Sequence, residues 1–246
     1  MRRLAALALV LPVAACGGGD AGESGDGGEL TVLAAASLTD VFEELATPFE
    51  EEHDVAVTFS FGSSTDLAES VVDGAPGDVL ATADEASMAL AEEAGVTGDV
   101  ETLATNVLTI VVPAGNPAGI ESLDDLADAT WVRCADEVPC GKVAVALLDA
   151  NGVTAEPVSL EEDVRATLDK VVSGEADAGL VYATDAVAAG DEVEVVEIPG
   201  AEDALTSYSA ATLEQSEDPD LAADWVTWVT SEEGRAILAD AGWGSP

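Results

Sequence analysis

Hydrophobic runs and amphipathic stretches alternate along the first part of the chain. The apolar run at 30–34 predicts a buried strand, and the apolar residues at 41, 42, 45 and 49 recur at helical spacing. The alternation continues and predicts strand 30–34, helix 39–51, strand 55–60, helix 65–72, strand 78–82 and helix 84–93. Such alternation is typical of a parallel sheet with helices on both faces.

The same pattern restarts after a β-branched run at 106–112, which is long enough to pass into a second domain. It predicts a short helix at 119–126, strand 131–134, helix 142–150, helix 165–173, strand 178–182, a short helix from 185 and strand 193–198. Residues 159–164 are expected to lead into the helix at 165–173. The run 207–213 is expected to cross back, and 221–243 predicts two core-packed helices broken at 231–234. We therefore expect an α/β protein with two lobes, 29–109 plus 207–246 and 110–206.

Four strand-to-helix turns carry small or hydroxyl residues where the next helix begins. They contain Ser37, the run Ser63-Ser64-Thr65 after Gly62, Cys140 with Gly141, and 159–165. A helix start presents unpaired N–H groups and a partial positive charge, so it can hold an anion. Each turn taken alone is equally consistent with a simple cap, and Ser37 with Asp40 fits a capping box. Tyr182, at a strand end, fits either a core tyrosine or a ligand donor.

The N-terminus is typical of an exported protein. Arg2 and Arg3 precede an apolar run at 4–13 that is too short to span a bilayer. Small residues followed by Cys16 resemble a bacterial lipobox, which implies a signal peptide at 1–15 and lipidation of Cys16; the alternative is an ordinary signal with an incidental cysteine. Residues 16–28 form a flexible tether. We expect a protein that is lipid-anchored to the outer face of the cytoplasmic membrane.

The composition combines a large apolar fraction with extreme acidity. Hydrophobic residues make up 48% of the 246 residues, which is ample for a core. There are 50 acidic and 7 basic residues, a formal net charge of −43. Such a surface repels nucleic acid and anionic lipid, so neither is expected as a partner. The negative surface also repels an anionic ligand at long range. Salt screens this repulsion over about 8 Å, so a recessed site with local N–H dipoles can still attract the anion.

Cys134 and Cys140 are the cysteines that follow Cys16. In an exported protein two such close cysteines indicate a disulfide, with two buried thiols as the alternative. A zinc site is not indicated, because His53 is the only histidine in the chain. A bridge would stiffen the loop that carries the Cys140 amide.

A serine hydrolase is a function of a different class, and the sequence disfavours it. His53 lies in an acidic stretch that resembles a solvated helix end, and no Gly-x-Ser-x-Gly elbow is present. A Ser-Lys pair with Lys142 or Lys170 stays open at this level. A ferric-ion site would need clustered tyrosines, and the chain has only Tyr182 and Tyr208.

Seven short motifs spread over 30–243 carry a resemblance to a known family. They are LAAASLT at 33–39, FGSSTDL at 61–67, GAPGDV at 74–79, VPCG at 138–141, EDVR at 162–165, GLVYATDA at 179–186 and AGW at 241–243. In order and spacing the chain resembles the substrate-binding lipoproteins of molybdate ABC transporters. The resemblance implies the type II periplasmic-binding-protein fold, with a mostly parallel sheet in each lobe and the ligand in the cleft between them.

The resemblance also implies a set of binding residues. In that family hydroxyls and backbone amides hold the oxyanion without a positively charged side chain. By position these are Ser37, Ser64, the amides of Cys140 and Val164, and Tyr182. Cys140 replaces a frequent alanine, which is tolerable because only its N–H is required. The run Ser63-Ser64 leaves open which serine donates.

The implied function is the capture of molybdate or tungstate for an ABC importer, with no cofactor, no direct protein–metal ligand and no enzymatic activity. We expect a monomer that works with a permease and meets the membrane only through its lipid. A binding protein for sulfate is the alternative, whereas phosphate would need an acceptor in the site. Carboxylates are expected to point away from the pocket, since acceptors would reject a fully ionised oxyanion.

Overall fold

The computed structural model describes residues 28–246. The predicted signal peptide at 1–15, the predicted lipidation site Cys16 and the tether as far as residue 27 lie outside the described residues. Within 28–246, no helix combines the length and the apolar character that a membrane crossing requires.

The chain alternates strands and helices along most of its described length. The strands are β1 (Glu29–Ala35), β2 (Ala56–Gly62), β3 (Val79–Thr82), β4 (Thr97–Asn106), β5 (Leu108–Pro113), β6 (Trp131–Cys134), β7 (Ser159–Glu161), β8 (Ala178–Tyr182), β9 (Val193–Val196) and β10 (Thr206–Leu213). The helices are α1 (Thr39–His53), α2 (Ser64–Val72), α3 (Glu85–Glu93), α4 (Pro139–Ala150), α5 (Val164–Val172), α6 (Ala183–Ala189), α7 (Pro219–Thr230) and α8 (Glu232–Asp240). Short 3-10 turns lie at Ala36–Leu38, Leu123–Asp128, Gly190–Glu192 and Ala201–Asp203.

The strands form two five-stranded sheets with matching arrangements. The first has the order β2-β1-β3-β10-β4 and the second the order β7-β6-β8-β5-β9. In each sheet four strands run in one direction and one, β10 or β5, runs against them. We call the first sheet with α1–α3, α7 and α8 lobe 1, and the second sheet with α4–α6 lobe 2. The expected α/β class, with two lobes and mostly parallel sheets, is confirmed.

The chain passes between the sheets twice. It leaves the first sheet at Val107, between β4 and β5, and returns through 197–205, between β9 and β10. The expected lobe limits at 109/110 and 206/207 fall one or two residues inside β5 and β10. Limits that follow the sheets therefore lie slightly earlier in the chain.

Several elements differ from the sequence expectation, for local physical reasons. β4 was not predicted, because it is an edge strand with Gly98, Asp99 and Glu101 among its residues. The three-residue edge strand β7 lies where only a helix start was expected. The helix expected at 119–126 is a 3-10 turn that begins at Leu123. α4 begins at Pro139 and not at 142, consistent with the preference of proline for the first helical position.

The core of lobe 1 is centred on Trp225 of α7, which is fully buried. Its ring packs edge-on against Phe42 and Phe49 of α1, with ring centroids 5.7 and 5.1 Å apart. Aromatic pairs in this geometry contribute beyond their buried area. The prediction that the tail helices pack their aromatic residues into the core is confirmed for Trp225. This packing holds α1 in place, and so positions the turn that precedes it.

Candidate functional site

A cavity lies where the loops at the carboxyl ends of strands from both lobes face each other. Ligand sites in open α/β sheets occur at this edge. Counting its open mouth, the cavity encloses about 220 Å³ of empty space. Thirteen residues line it: Ala35, Ala36, Ser37, Gly62, Ser63, Ser64 and Ala83 from lobe 1, and Val138, Pro139, Cys140, Asp163, Val164 and Tyr182 from lobe 2.

The structure brings all five sequence-predicted residues to this one cavity. Ser37 follows β1 and Ser64 begins the helix after β2. Cys140 and Val164 lie in the first turns of the helices after β6 and β7, and Tyr182 ends β8. The five residues come from five different loops, yet they border the same hollow.

The lobe 1 hydroxyls are held by buried hydrogen bonds on their far side. Ser64 Oγ accepts the amide hydrogen of Ala83 at 2.9 Å. Ser37 Oγ lies 2.8 Å from the hydroxyl oxygen of Tyr208, and when Tyr208 donates to Ser37 the serine hydrogen is available for another acceptor. Both serine hydroxyls can therefore act as oriented donors.

Ser63 also borders the cavity, as the N-cap residue of α2. Its hydroxyl oxygen accepts the amide hydrogen of Asp66 at 3.4 Å, which is longer than the bond that holds Ser64. The hydroxyl hydrogens of Ser63 and Ser64 are both available as donors. The choice between the two serines therefore stays a prediction in favour of Ser64.

The lobe 2 donors are main-chain amides at helix starts. The amides of Cys140 and Val164 lie in first turns, where no carbonyl one turn earlier can accept them. The N-cap of α4, Val138, makes no side-chain capping bond. The Asp163 carboxylate caps α5 through Ala166, with Oδ1 accepting that amide hydrogen at 2.9 Å, and so it leaves the amide of Val164 uncapped.

The backbone around Cys140 is constrained in two ways. A disulfide joins Cys134, at the end of β6, to Cys140, with the Cα atoms 5.8 Å apart. Gly141 passes so close to the preceding loop that an added Cβ would lie 1.7 Å from the carbonyl oxygen of Ala135. Only glycine fits this approach without moving the backbone.

Tyr182 contributes an unpaired buried hydroxyl. The side chain is buried, and its hydroxyl oxygen has no hydrogen-bond partner within residues 28–246. Burial raises the pKa of Tyr182 above its usual value, so the hydroxyl keeps its proton and acts as a donor. An orphaned buried donor that borders a cavity points to a ligand with an acceptor.

The charges around the cavity match a ligand that brings only acceptors. Among the described residues, no lysine or arginine borders the cavity. Asp163 is the one acidic residue that does, which departs from the expectation that every carboxylate lies away from the pocket; one of its carboxylate oxygens is engaged in capping α5. Nor does any group of three or more His, Cys, Asp or Glu residues in 28–246 form a metal site.

Sequence reasoning missed two residues that support these donors. Tyr208 lies behind Ser37 and packs edge-on against Tyr182 and Trp243, with ring centroids 5.8 and 4.5 Å away. Ala83 supplies the amide that holds Ser64. No local pattern pairs residue 37 with residue 208, so only the folded chain reveals these contacts.

Comparison with known proteins gives a consistent picture. The family described as bacterial extracellular solute-binding protein matches residues 30–244. The molybdate-binding protein ModA of Mycobacterium tuberculosis is 38% identical over 247 residues, which covers 97% of this chain and 95% of that protein. In fold, the chain resembles the periplasmic molybdate-binding protein of Azotobacter vinelandii, with a TM-score of 0.79, 23% identity and 88% and 99% of the two chains covered. It also resembles the sulfate-binding protein SubI of M. tuberculosis, with a TM-score of 0.75, 22% identity and coverage of 88% and 86%.

Proposed function

Because the chain belongs to the bacterial extracellular solute-binding protein family, we propose that it captures molybdate for an ABC importer. The identity to ModA over nearly the whole chain is the observation that carries this function. The protein is a solute-binding protein and not an enzyme, and the oxyanion is its cargo, with no cofactor. Tungstate, which has the same shape and charge, is expected to bind in the same way.

The five candidate residues suit a tetrahedral dianion. A fully ionised oxyanion has acceptors and no protons, so a pocket of donors alone is complementary to it. We assign the hydroxyls of Ser37, Ser64 and Tyr182 and the amides of Cys140 and Val164 as these donors. Spreading the negative charge over several helix starts stabilises it without a cationic side chain.

The proposed mechanism is closure of the two lobes around the ion. Ser37 and Ser64 belong to lobe 1, whereas Cys140, Val164 and Tyr182 belong to lobe 2. Neither lobe alone offers the full donor set, so bound ligand favours the closed arrangement. The closed form is then the one that a transporter distinguishes from the empty protein.

The position of the protein at the membrane is a further part of the proposal. The lipobox-like segment before Cys16 supports lipidation there and anchoring to the outer face of the cytoplasmic membrane. The tether would let the folded lobes reach a permease in the same membrane. We expect the protein to act as a monomer.

A calorimetric titration against molybdate, tungstate, sulfate and phosphate tests the function. We expect one molybdate or tungstate ion to bind per chain, more tightly than sulfate because the larger ion reaches all five donors. Phosphate should bind less tightly than molybdate, since Asp163 is the one carboxylate among the described residues at the cavity that could accept its proton, and one oxygen of that carboxylate already caps α5. Strong sulfate binding without molybdate binding would overturn the choice of ligand.

A further inference from the structure

We infer that two ion pairs across the cleft, Asp40–Arg165 and Asp84–Lys142, act as an interlobe latch that sets the rate of ligand release. In each pair lobe 1 supplies the carboxylate and lobe 2 the cation. This inference rests on the proposed function for its ligand, but the latch itself is a property of the two lobes.

The first pair ties the Ser37 turn to the start of α5. A carboxylate oxygen of Asp40 accepts a hydrogen bond from a terminal guanidinium nitrogen of Arg165. Asp40 lies three residues after Ser37, and Arg165 directly follows Val164. The pair therefore couples the position of one candidate hydroxyl donor to that of one candidate amide donor.

The second pair joins the residue after Ala83, whose amide holds Ser64, to the start of α4. Lys142 Nζ donates to Asp84 Oδ2 at 2.9 Å. Asp84 follows Ala83, whose amide holds Ser64, and Lys142 lies two residues after Cys140. Beside this pair, Thr65 Oγ1 donates to the carbonyl oxygen of Glu137 at 3.1 Å, which adds a neutral bond between the same two regions.

The four latch residues do not border the cavity, so their effect on binding has to pass through closure. Arg165 and Lys142 are two of the five lysines and arginines in residues 28–246, in a chain of 50 acidic residues. Two lobes that both carry excess negative charge repel each other. Placing two of the few cations against carboxylates of the opposite lobe offsets that repulsion where the donors meet.

Arg165 has a second partner, which decides the choice of variants. Its Nε lies 3.3 Å from Oδ1 of Asp185, a fully buried carboxylate. Removing Arg165 would leave that carboxylate without its cation and would damage lobe 2 itself. Asp40 and Lys142 have no such buried partner among the described residues, so they are the residues to change.

Stopped-flow measurement of molybdate association and release tests the latch in Asp40→Asn, Lys142→Gln and the double variant. The matched controls are Glu43→Gln, an exposed residue of α1, and Lys170→Gln, whose ion pairs with Glu161 and Glu175 stay within lobe 2. Asp40→Glu and Lys142→Arg keep the charges and serve as rescue variants.

At low salt we expect each single variant to release molybdate about 2- to 5-fold faster, with association nearly unchanged, and the double variant to release it faster still. The controls and the rescue variants should behave as the wild type. At about 1 M NaCl, where the Debye length is about 3 Å, the difference in release between variant and wild type should largely disappear. Unchanged release at low salt, or an effect confined to association, would overturn the latch.

A failure of the proposed function can be told apart from a failure of the latch. If the wild type binds none of the tested oxyanions, small-angle X-ray scattering of the ligand-free protein decides the question instead. The latch then requires a larger radius of gyration at low salt in the double variant than in the wild type and the two controls. Equal radii in that experiment would overturn the latch.

Discussion

The two lobes share one strand arrangement but offer different chemistry at the cleft. The loops after β1 and β2 present side-chain hydroxyls, from Ser37 and Ser64. The corresponding loops after β6 and β7 present the main-chain amides of Cys140 and Val164. Equivalent positions in one topology thus supply donors of two kinds, and only the first kind depends on the identity of a side chain.

The lobes also differ in how they carry positive charge. Four of the five lysines and arginines in 28–246 belong to lobe 2. The lobe 1 cation, Arg235, donates to the carbonyl oxygens of Thr230, Leu103 and Thr102 within its own lobe. Lobe 1 therefore contributes hydroxyls and carboxylates to the cleft, whereas lobe 2 contributes amides and cations together with the Tyr182 hydroxyl and the Asp163 carboxylate. Apart from the Tyr182 hydroxyl, we therefore expect ligand binding by lobe 2 to depend on the position of its backbone, which side-chain substitutions test only indirectly.

Gly141→Ala should give the largest effect, because it moves the lobe 2 backbone itself. The new Cβ would meet the carbonyl oxygen of Ala135, so the start of α4 has to shift. We expect a loss of about 2–4 kcal/mol in the free energy of unfolding and strongly weakened molybdate binding. Urea unfolding and calorimetry measure the two effects.

The control for this variant is Gly62→Ala in lobe 1, where the nearest atom to the added Cβ is 4.0 Å away. Its unfolding free energy should change by no more than about 0.5 kcal/mol. Equal stability of the two variants would show that the lobe 2 backbone is not constrained as described.

Ser37→Ala and Ser64→Ala test the side-chain donors of lobe 1. Each should weaken molybdate binding by about 1–3 kcal/mol, because a hydrogen bond to a charged ligand is lost while the chain stays folded. Val164→Ala keeps its amide, so it should cost affinity about 0.5 kcal/mol or less even where stability falls. Calorimetry on all three variants, with circular dichroism for folding, sharpens the comparison.

The division between the lobes would be wrong if Val164→Ala weakened binding as much as either serine variant. Wild-type affinity in Ser37→Ala and Ser64→Ala would remove both serines from the site. A Ser63→Ala variant decides whether Ser63 or Ser64 is the donor, since removal of the donor serine should weaken binding more.

Removing the disulfide should have a smaller effect, confined to lobe 2. For a loop of this length, replacing Cys134 and Cys140 by alanine should lower the free energy of unfolding by about 2 kcal/mol. Molybdate binding should weaken as well, because the Cys140 amide is less preorganised. Reductant should weaken binding to the wild type and leave the double variant unaffected. Unchanged affinity after reduction would exclude a role for the bridge in binding.

The remaining prediction concerns the buried carboxylate of lobe 2 and is spread over a range of pH. Burial raises the pKa of Asp185 from 3.8 to about 7, against the opposing effects of Arg165 and of the Tyr182 amide. Between these values the folded chain binds a proton that the unfolded chain does not. The contribution of Asp185 to the free energy of unfolding should therefore fall as the pH rises from about 4 to about 7, by at most about 1.4 kcal/mol per pH unit.

Urea unfolding of the wild type and of Asp185→Asn at several pH values measures this contribution. The stability of the wild type relative to the variant should decline up to about pH 7 and stay constant above it. A difference that does not vary with pH would contradict the raised pKa.

Much of the fold follows from local patterns in the sequence. Strands 131–134 and 178–182 were predicted to the residue, because they are short buried runs bounded by clear breaks. The rule that parallel strands end at the same edge of a sheet brings Ser37 beside Ser64 in lobe 1 and Cys140 beside Val164 in lobe 2. The meeting of these two pairs depends on how the lobes are placed. Edge strands such as β4 and β7 escape this reasoning, since they are half exposed and carry little hydrophobic pattern.

Long-range polar contacts could not be predicted from the sequence. The partner of Ser37 lies 171 residues away, and Asp40 and Arg165 are separated by 125 residues. Such pairs are set by how the lobes are placed, to which local propensity is blind. Residues that support or couple the candidate donors were therefore missed, whereas Ser37, Ser64, Cys140 and Val164 lie at the helix starts that the sequence pattern singled out.

Because the chain crosses between the sheets twice, the two lobes become complete at different times during synthesis. Lobe 2 is continuous, so all five of its strands exist once residue 196 has been made. In lobe 1, β4 pairs with β10, which begins a hundred residues after β4 ends, and with the still later Gly244. Closing so long a loop is slow. We therefore expect lobe 2 to complete its sheet first, whereas the β4 edge of lobe 1 stays unpaired until the C-terminal segment has been made.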